Sequence, residues 1–350
     1  MKKIIVGMSG GIDSTVSAYL LKQQGYEVVG ITFKMWDEAS RCCNYDDIMD
    51  AKKACFKIGI RHYIINIKKH FKNKVVDYFI NDYLNGKTPN PCVVCNEEVK
   101  FEMLIKKMKE LEFDFVATGH YAKIKKINDE FYLTEAKDKK KTQEYFLARL
   151  SKDKLKYIKF PLGNLTKEEV RKIAKNAGFN IEKKESQEVC FLKETQSPSD
   201  FILKFVNNDN LKKCTICDIY GNEIKTLDKP FFCYTIGQRK GIGIGGGKPF
   251  YVYKILPKDK KILIAEEDKI YSNKCEIEKL NLYKKLKKNI FIAKVKIRYL
   301  HKKADAKIFL NGDIAEIEFK QKQFAITPGQ LAVIYDIRGK TVLGSGFIKN

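Results

Sequence analysis

The chain has 350 residues, with 67 Lys and Arg against 43 Asp and Glu and a formal net charge of +24 at pH 7. That length exceeds one small core and calls for two or three domains, and an apolar fraction of 44% excludes a disordered chain. Nothing approaches the run of about 18 apolar residues that a membrane span needs, and Met1-Lys2-Lys3 leads straight into an apolar segment, so a cytoplasmic protein without membrane contact is expected. The positive charge favours a polyanionic partner, nucleic acid or an anionic surface, with a lysine-rich composition bias as the plainer source. In a reducing compartment ten cysteines exclude a disulfide framework and leave buried thiols, metal or cluster ligands, or sulfur chemistry.

Residues 4–6 form a short apolar strand, followed at once by Gly7-Met8-Ser9-Gly10-Gly11-Ile12-Asp13-Ser14 and an amphipathic run that predicts a helix over 15–24. Strand, glycine-rich turn and helix is the layout of a phosphate-binding loop. Adjacent glycines let backbone N–H groups approach an anion, the helix N-terminus adds about half a positive charge, and Ser9 and Ser14 supply hydroxyls. Asp13 stands where a carboxylate organises Mg2+ beside a pyrophosphate. Neither the G-x-x-x-x-G-K-[ST] nor the G-x-G-x-x-G pattern is present. The Ser-Gly-Gly-x-Asp-Ser run instead resembles the pyrophosphate loop of the ATP pyrophosphatases. That resemblance implies ATP, cleaved between its α and β phosphates to leave AMP on a substrate oxygen.

Apolar segments at 28–32, 63–67 and 115–117 alternate with helical patterns near 46–58, 71–85 and 97–111, which predicts an α/β domain with a doubly wound parallel sheet. Ligands of such sheets sit beyond the carboxyl ends of the strands, where the loop, Phe33, Gly119 and His120 converge. A helix is expected over 166–178, with Thr166 as N-cap, Glu169 three residues on and Gly178 closing it. Beyond residue 198 the pattern turns to short strands, first between 214 and 270, then at 291–295, 306–310, 315–319, 331–335 and 342–348. The expected domains are a nucleotide-binding domain over 1–198, a small β-rich domain over 199–273 and a C-terminal β-barrel over 274–350, with 207–213 as linker.

Thr88-Pro89-Asn90-Pro91-Cys92-Val93-Val94-Cys95-Asn96 sets a Cys-x-x-Cys just before a helix, where thiols carry more thiolate, and Lys100 adds to that effect. A zinc half-site and a redox pair are the plainer readings of such a pair. Cys214-x-x-Cys217 lies too far away for ribbon spacing, in a segment whose alternation splits its side chains. Cys190 reads on local context, residues 185–192, as a buried core thiol.

Taken together, the chain resembles the bacterial tRNA-specific 2-thiouridylases over nearly its whole length. The matching blocks are residues 7–14, 88–101 (T-P-N-P-x-x-x-C-N-x-x-x-K-F), 118–121, Tyr145-Phe146-Leu147, Cys190-Phe191, 234–246, Arg298-Tyr299 and 327–330. The resemblance implies adenylation of O2 of the wobble uridine of tRNA, then displacement of AMP by sulfur to give 2-thiouridine. It makes Cys95 the nucleophile and Cys190 the persulfide carrier, the two forming a transient disulfide. It assigns Gly7, Met8, Ser9, Gly10, Gly11, Ile12, Asp13, Ser14, Phe33 and Gly119 to ATP. Asn90, Pro91 and Cys92 fall to the target base. His120, Lys141, Thr142, Gln143, Arg298, Tyr299 and Gln330 fall to tRNA. The implied partners are tRNAs with Lys, Glu or Gln type anticodons and a persulfide donor such as a cysteine desulfurase or a relay protein.

Two departures stand out. Cys92 replaces an Asp found in relatives, so Cys92, Cys95 and Cys190 together suit a [4Fe–4S] cluster with one open iron as an alternative sulfur carrier. A common Lys-Asp-Gln reads Lys141-Thr142-Gln143. Two readings of other classes remain, a small-molecule ligase on the same loop and a non-catalytic RNA-binding protein. The missing glutaminase-like domain weighs against the first, and the intact loop and cysteines weigh against the second.

Overall fold

The computed structural model describes residues 1–36, 45–181, 189–193, 195–206, 213–245, 247–283 and 288–349. The expected linker (except Lys213), the local context of Cys190 at 185–188, and Gly246 lie outside the described residues.

Strands β1 (Lys3–Gly7), β2 (Glu27–Lys34), β3 (Arg61–Asn66) and β4 (Phe115–Ala117) form a sheet; the hairpin β5 (Ala122–Ile127) and β6 (Glu130–Glu135) precedes its last strand, β7 (Ile158–Lys159). The sheet order is β3-β2-β1-β4-β7, all parallel. Ile4, Ile5 and Val6 are buried on both faces, as a central parallel strand requires. Ile4 and Val6 pack under α1 (Ile12–Gln23) and α2 (Tyr45–Ile58), through Ala18, Leu21, Ala51 and Ala54. Ile5, one residue out of phase, faces the opposite layer with Phe71, Phe79, Phe101 and Leu104. That layer consists of α3 (Lys68–Phe71), α4 (Asp77–Leu84), α5 (Pro91–Val94) and α6 (Phe101–Glu110), joined pairwise by wide π-helical turns at Lys72–Val76 and Cys95–Lys100.

Because β1 lies between β2 and β4, the strand order reverses there, and the crevice at their carboxyl ends is where a doubly wound sheet takes its ligand. Short helices α7 (Glu144–Leu147) and α8 (Lys152–Leu155) follow, then α9 (Lys167–Asn176) and α10 (Pro198–Ile202). The expected capping box is formed: Thr166 Oγ1 accepts from Glu169 N and Glu169 Oε2 from Thr166 N.

Strands β8 (Cys214–Cys217), β9 (Glu223–Leu227), β10 (Phe250–Leu256) and β11 (Lys261–Glu266) make a four-stranded sheet in the order β10-β11-β8-β9. The last six, β12 (Tyr271–Leu282), β13 (Ile290–Lys296), β14 (Ala304–Asn311), β15 (Ile314–Phe324), β16 (Leu331–Tyr335) and β17 (Val342–Ile348), close into an antiparallel barrel. Ile277, Val295, Ile308, Ile317, Ile334 and Ile348 fill its interior.

The barrel is docked on the first domain by apolar packing, with Leu331, Val333 and Val342 in the core that holds Leu147 and Leu150, and by polar contacts. Tyr145 Oη donates to Leu331 O at 2.8 Å, Ser345 Oγ to Ala148 O at 2.9 Å, and Asn281 Nδ2 to Ala148 O and Leu150 O at 3.0 and 3.1 Å. Glu144, fully buried, accepts from Thr142 Oγ1 at 2.5 Å and from Tyr335 Oη of the barrel at 2.9 Å.

Candidate active site

The segment between β1 and α1 is held by its own backbone and hydroxyls. Ser9 N donates to Ser14 Oγ at 3.2 Å, Ser14 Oγ to Gly11 O at 3.0 Å, Met8 N to Ile31 O at 2.8 Å and Thr32 Oγ1 to Met8 O at 2.9 Å. Gly10 has φ +74°, and a Cβ there would sit 2.4 Å from Asp47 O, so only glycine fits. Gly11 is the N-cap of α1 and brings no side-chain acceptor to the first turn, which keeps those N–H groups for an anion. Gly119, beyond β4, lets that strand's loop rest on the helix start: a Cβ would lie 2.7 Å from Asp13 C and Ser14 N. Phe33 is buried in β2, so its side chain belongs to the core. Asp13 does not present the open carboxylate expected of a Mg2+ ligand: Lys167 Nζ donates to both oxygens at 2.8 Å and Tyr121 Oη to Oδ1 at 2.8 Å. The residues present therefore do not fit a metal on Asp13.

Thr88 to Asn90 run to α5, where Pro91 takes the first helical position. Cys92 lies on α5. Cys95, buried, opens the Cys95–Lys100 turn, a rare helical widening that recurs at functional sites. Asn96 donates from Nδ2 to Phe146 O at 3.1 Å, which fixes its amide, while its buried Oδ1 has no hydrogen-bond partner among the described residues. The Cys95 turn reaches the phosphate loop through a short chain of contacts. Phe101 follows the turn, its ring lies 5.9 Å from that of His120, and His120 adjoins the Gly119 that rests on Asp13. Cys190 is half-buried beside Phe191, whose ring packs on Phe71 and Phe79 at 5.9 and 5.2 Å. Cys95 and Cys190 thus border one core.

The remaining described thiols are Cys55, Cys214, Cys217, Cys233 and Cys275. Burial pushes Cys55, Cys214 and Cys275 up to about 12, and raises Cys217 and Cys233 as well, so they stay protonated and inert. Among the described residues no three His, Cys, Asp or Glu side chains are gathered so as to hold a metal ion. That holds for Cys92, Cys95 and Cys190, the three thiols considered above for a cluster, and for the Cys214–Cys217 pair.

Models of known families cover nearly the whole chain. They are described as a tRNA methyl transferase HUP domain (residues 2–194), a tRNA methyl transferase PRC-barrel domain (199–266) and an aminomethyltransferase beta-barrel domain (272–348). Relatives called tRNA-specific 2-thiouridylase MnmA match end to end. The protein from Halothermothrix orenii is 42% identical over 364 residues, covering 100% of this chain and 99% of the relative. Those from Clostridium kluyveri (38% over 358 residues; 99% of each chain) and Clostridioides difficile (39% over 360; 99% and 98%) are similar. The chain belongs to the tRNA-specific 2-thiouridylase family.

The positions that the 2-thiouridylase resemblance gives to tRNA are engaged within the protein in this structure. Thr142 is buried, its Oγ1 accepting from Ala136 N at 2.9 Å, and Gln143 Oε1 accepts from Tyr121 N at 2.8 Å. Lys141, beside them, is half-buried. Arg298 Nη2 holds Ala325 O and Thr327 Oγ1. Tyr299 stacks on Phe146 at 4.4 Å under the Lys296 ammonium. Gln330 Nε2 donates to Thr88 O at 2.8 Å, and Thr88 N to Pro328 O at 2.8 Å, so the barrel grips the main chain that leads to Cys92 and Cys95.

His120 bonds Thr118 Oγ1 through Nδ1 at 2.8 Å between the rings of Phe101 and Phe160. Desolvation, with Lys100 nearby, pushes its pKa down to about 3. His62 and His301 are lowered for the same first reason. The unfolded chain takes up these protons near pH 6.5 and the native state only at lower pH, for His120 well below it. Native stability is therefore fully present above about pH 6.5 and falls as the pH drops from there. The urea midpoint is expected to decrease from pH 7 to pH 5, and less so in His120→Gln; a midpoint that rises over this range contradicts the assignment.

Tyr121 and Asn96 lie within the matched blocks 118–121 and 88–101 but carried no assigned role, and Lys167 lies outside every block. The lysine's one signal was its place as first helical residue after a capping threonine.

Proposed function

We propose that the protein uses ATP to activate O2 of the wobble uridine of tRNA and delivers a persulfide sulfur to C2. As a member of its family it is a tRNA uridine sulfurtransferase. In the first step uridine O2 attacks the α-phosphorus of ATP, expelling pyrophosphate and making the oxygen part of an AMP leaving group. A persulfide on Cys190, charged by a donor protein, attacks C2 through its terminal sulfur. The Cys95 thiolate then attacks the inner sulfur, leaving 2-thiouridine, AMP and a Cys95–Cys190 disulfide, which an external thiol reductant reopens. The observation that carries this reading is the contact path from Asp13 through Gly119, His120 and Phe101 to the Cys95 turn, which supports a role for the Gly7–Ser14 loop and Cys95 in one reaction. The neutral imidazole of His120 adds no charge there. The Phe146–Tyr299 stack with Lys296 offers aromatic and cationic surface to a nucleic acid, in keeping with the net charge of +24. The target base must leave its stack to reach the crevice.

If backbone phosphates are gripped, tRNA affinity falls with salt by roughly 0.7–0.9 in log K per log unit of salt for each phosphate neutralised. Filter binding between low and moderate ionic strength measures this slope; a flat line shows that the charge is compositional. The reaction itself is tested by pyrophosphate release, which should appear only when tRNA is added.

A further inference from the structure

We propose that Lys167 is a nucleotide-binding residue, the cation that the protein itself supplies to the polyphosphate of ATP. The inference rests on the reading that the Gly7–Ser14 loop binds ATP. Lys167 lies far from that loop in sequence, on the first turn of α9, yet its Nζ sits 2.8 Å from both oxygens of Asp13, on the first turn of the helix that leaves the loop. Its side chain is only 7% exposed, against 27% for Asp13. Withdrawing an ammonium so far from water is costly, and a buried ion pair often contributes no more to stability than well-packed apolar side chains of similar volume. The pair therefore calls for another reason.

The surroundings supply one. The Lys167 backbone is fixed by the Thr166–Glu169 capping box and by a hydrogen bond from its N to Asp138 Oδ2 at 3.0 Å, so the side chain starts from a rigid base. The Tyr121 hydroxyl holds the same carboxylate at 2.8 Å, and the ammonium lies 5.9 Å from the centre of that ring. Asp13 is thus positioned from two sides, with both oxygens committed to Lys167. At rest the carboxylate neutralises the ammonium beside the start of α1, whose N-cap Gly11 makes no side-chain cap hydrogen bond. An arriving triphosphate offers the buried ammonium a second and more highly charged set of anionic oxygens, with which it forms charge-assisted hydrogen bonds. In this account Asp13 holds the lysine in place.

The test is binding of ATP to the full chain by calorimetry, in EDTA and in excess Mg2+, for the wild type, Lys167→Arg, Lys167→Met, Asp13→Asn and the Asp13→Asn/Lys167→Met pair, with circular dichroism to confirm folding. The wild type is expected to bind ATP in EDTA. Lys167→Met should weaken that binding at least tenfold, and Lys167→Arg, which keeps the charge, no more than about threefold. Asp13→Asn should bind at least as tightly as the wild type in EDTA, because the lysine loses its competing anion. If Lys167→Met fails to fold, with Asp13 left unpaired, the tenfold loss is read between Asp13→Asn and the charge-free double variant. Unchanged EDTA binding in Lys167→Met, or a loss in Asp13→Asn as large as in Lys167→Met, overturns the proposal. Wild-type binding that appears with Mg2+ and vanishes in EDTA overturns it too. A wild type that binds ATP under neither condition instead removes the ATP reading on which it rests.

Discussion

Cys95→Ser and Cys190→Ser should each leave tRNA without 2-thiouridine. A serine hydroxyl neither carries persulfide sulfur nor attacks a sulfur–sulfur bond, so the loss is expected to exceed about a thousandfold rather than the few-fold effect of a packing change. Both side chains border the same core, and Cys95 opens a helical turn whose backbone a serine reproduces. Far-ultraviolet dichroism should therefore stay as in the wild type while the thionucleoside disappears from digested tRNA. Cys92→Ser is the internal comparison. Its thiol is not gathered with the other two around a metal position, so this variant should keep a measurable part of the rate. Loss of 2-thiouridine in Cys92→Ser equal to that in the other two contradicts the two-cysteine relay.

The second large effect belongs to the seam between the first domain and the barrel. Tyr335→Phe removes the hydroxyl that donates to the fully buried Glu144 at 2.9 Å, leaving a buried carboxyl oxygen without that donor. The expected cost is about 2 kcal/mol of unfolding free energy, measured in urea, with protease cutting appearing first between the first domain and the barrel. Tyr283→Phe at the same seam removes contacts of 3.4 and 3.5 Å, too long for a strong hydrogen bond, and should cost less than about 1 kcal/mol. Equal losses in the two variants would show that the seam is held by packing rather than by the Glu144 contact.

Much of this arrangement was legible in the residues. The apolar run at Ile4–Val6, the glycine turn and the Thr166 box announced β1, the phosphate loop and α9, because each depends on local chemistry. The β5–β6 hairpin went unread even though a local signal existed: Asn128 and Asp129 both take positive φ, 48° and 62°, between two strands, which is a tight hairpin turn. Its lysine-rich solvent face hid the alternation. β3 was expected two residues later; it forms the sheet edge, where Tyr63 and Ile64 are exposed and apolar character no longer marks burial. Other features had no local signature at all. The ion pair of Asp13 with Lys167 and the grip of Gln330 on Thr88 join residues 154 and 242 positions apart, and only the folded chain brings them together. The motif showed Asp13 as a bare carboxylate because its partner, Lys167, was invisible in it.

The central claim is that activation at the phosphate loop is chemically separate from sulfur delivery by the two cysteines. A single-turnover measurement of pyrophosphate release by the Cys95→Ser/Cys190→Ser enzyme, with and without unmodified tRNA, addresses it directly. The account predicts a burst of pyrophosphate that requires tRNA and approaches one per bound tRNA, with no thionucleoside formed. A double variant that releases none, while still binding both ATP and tRNA, would contradict it.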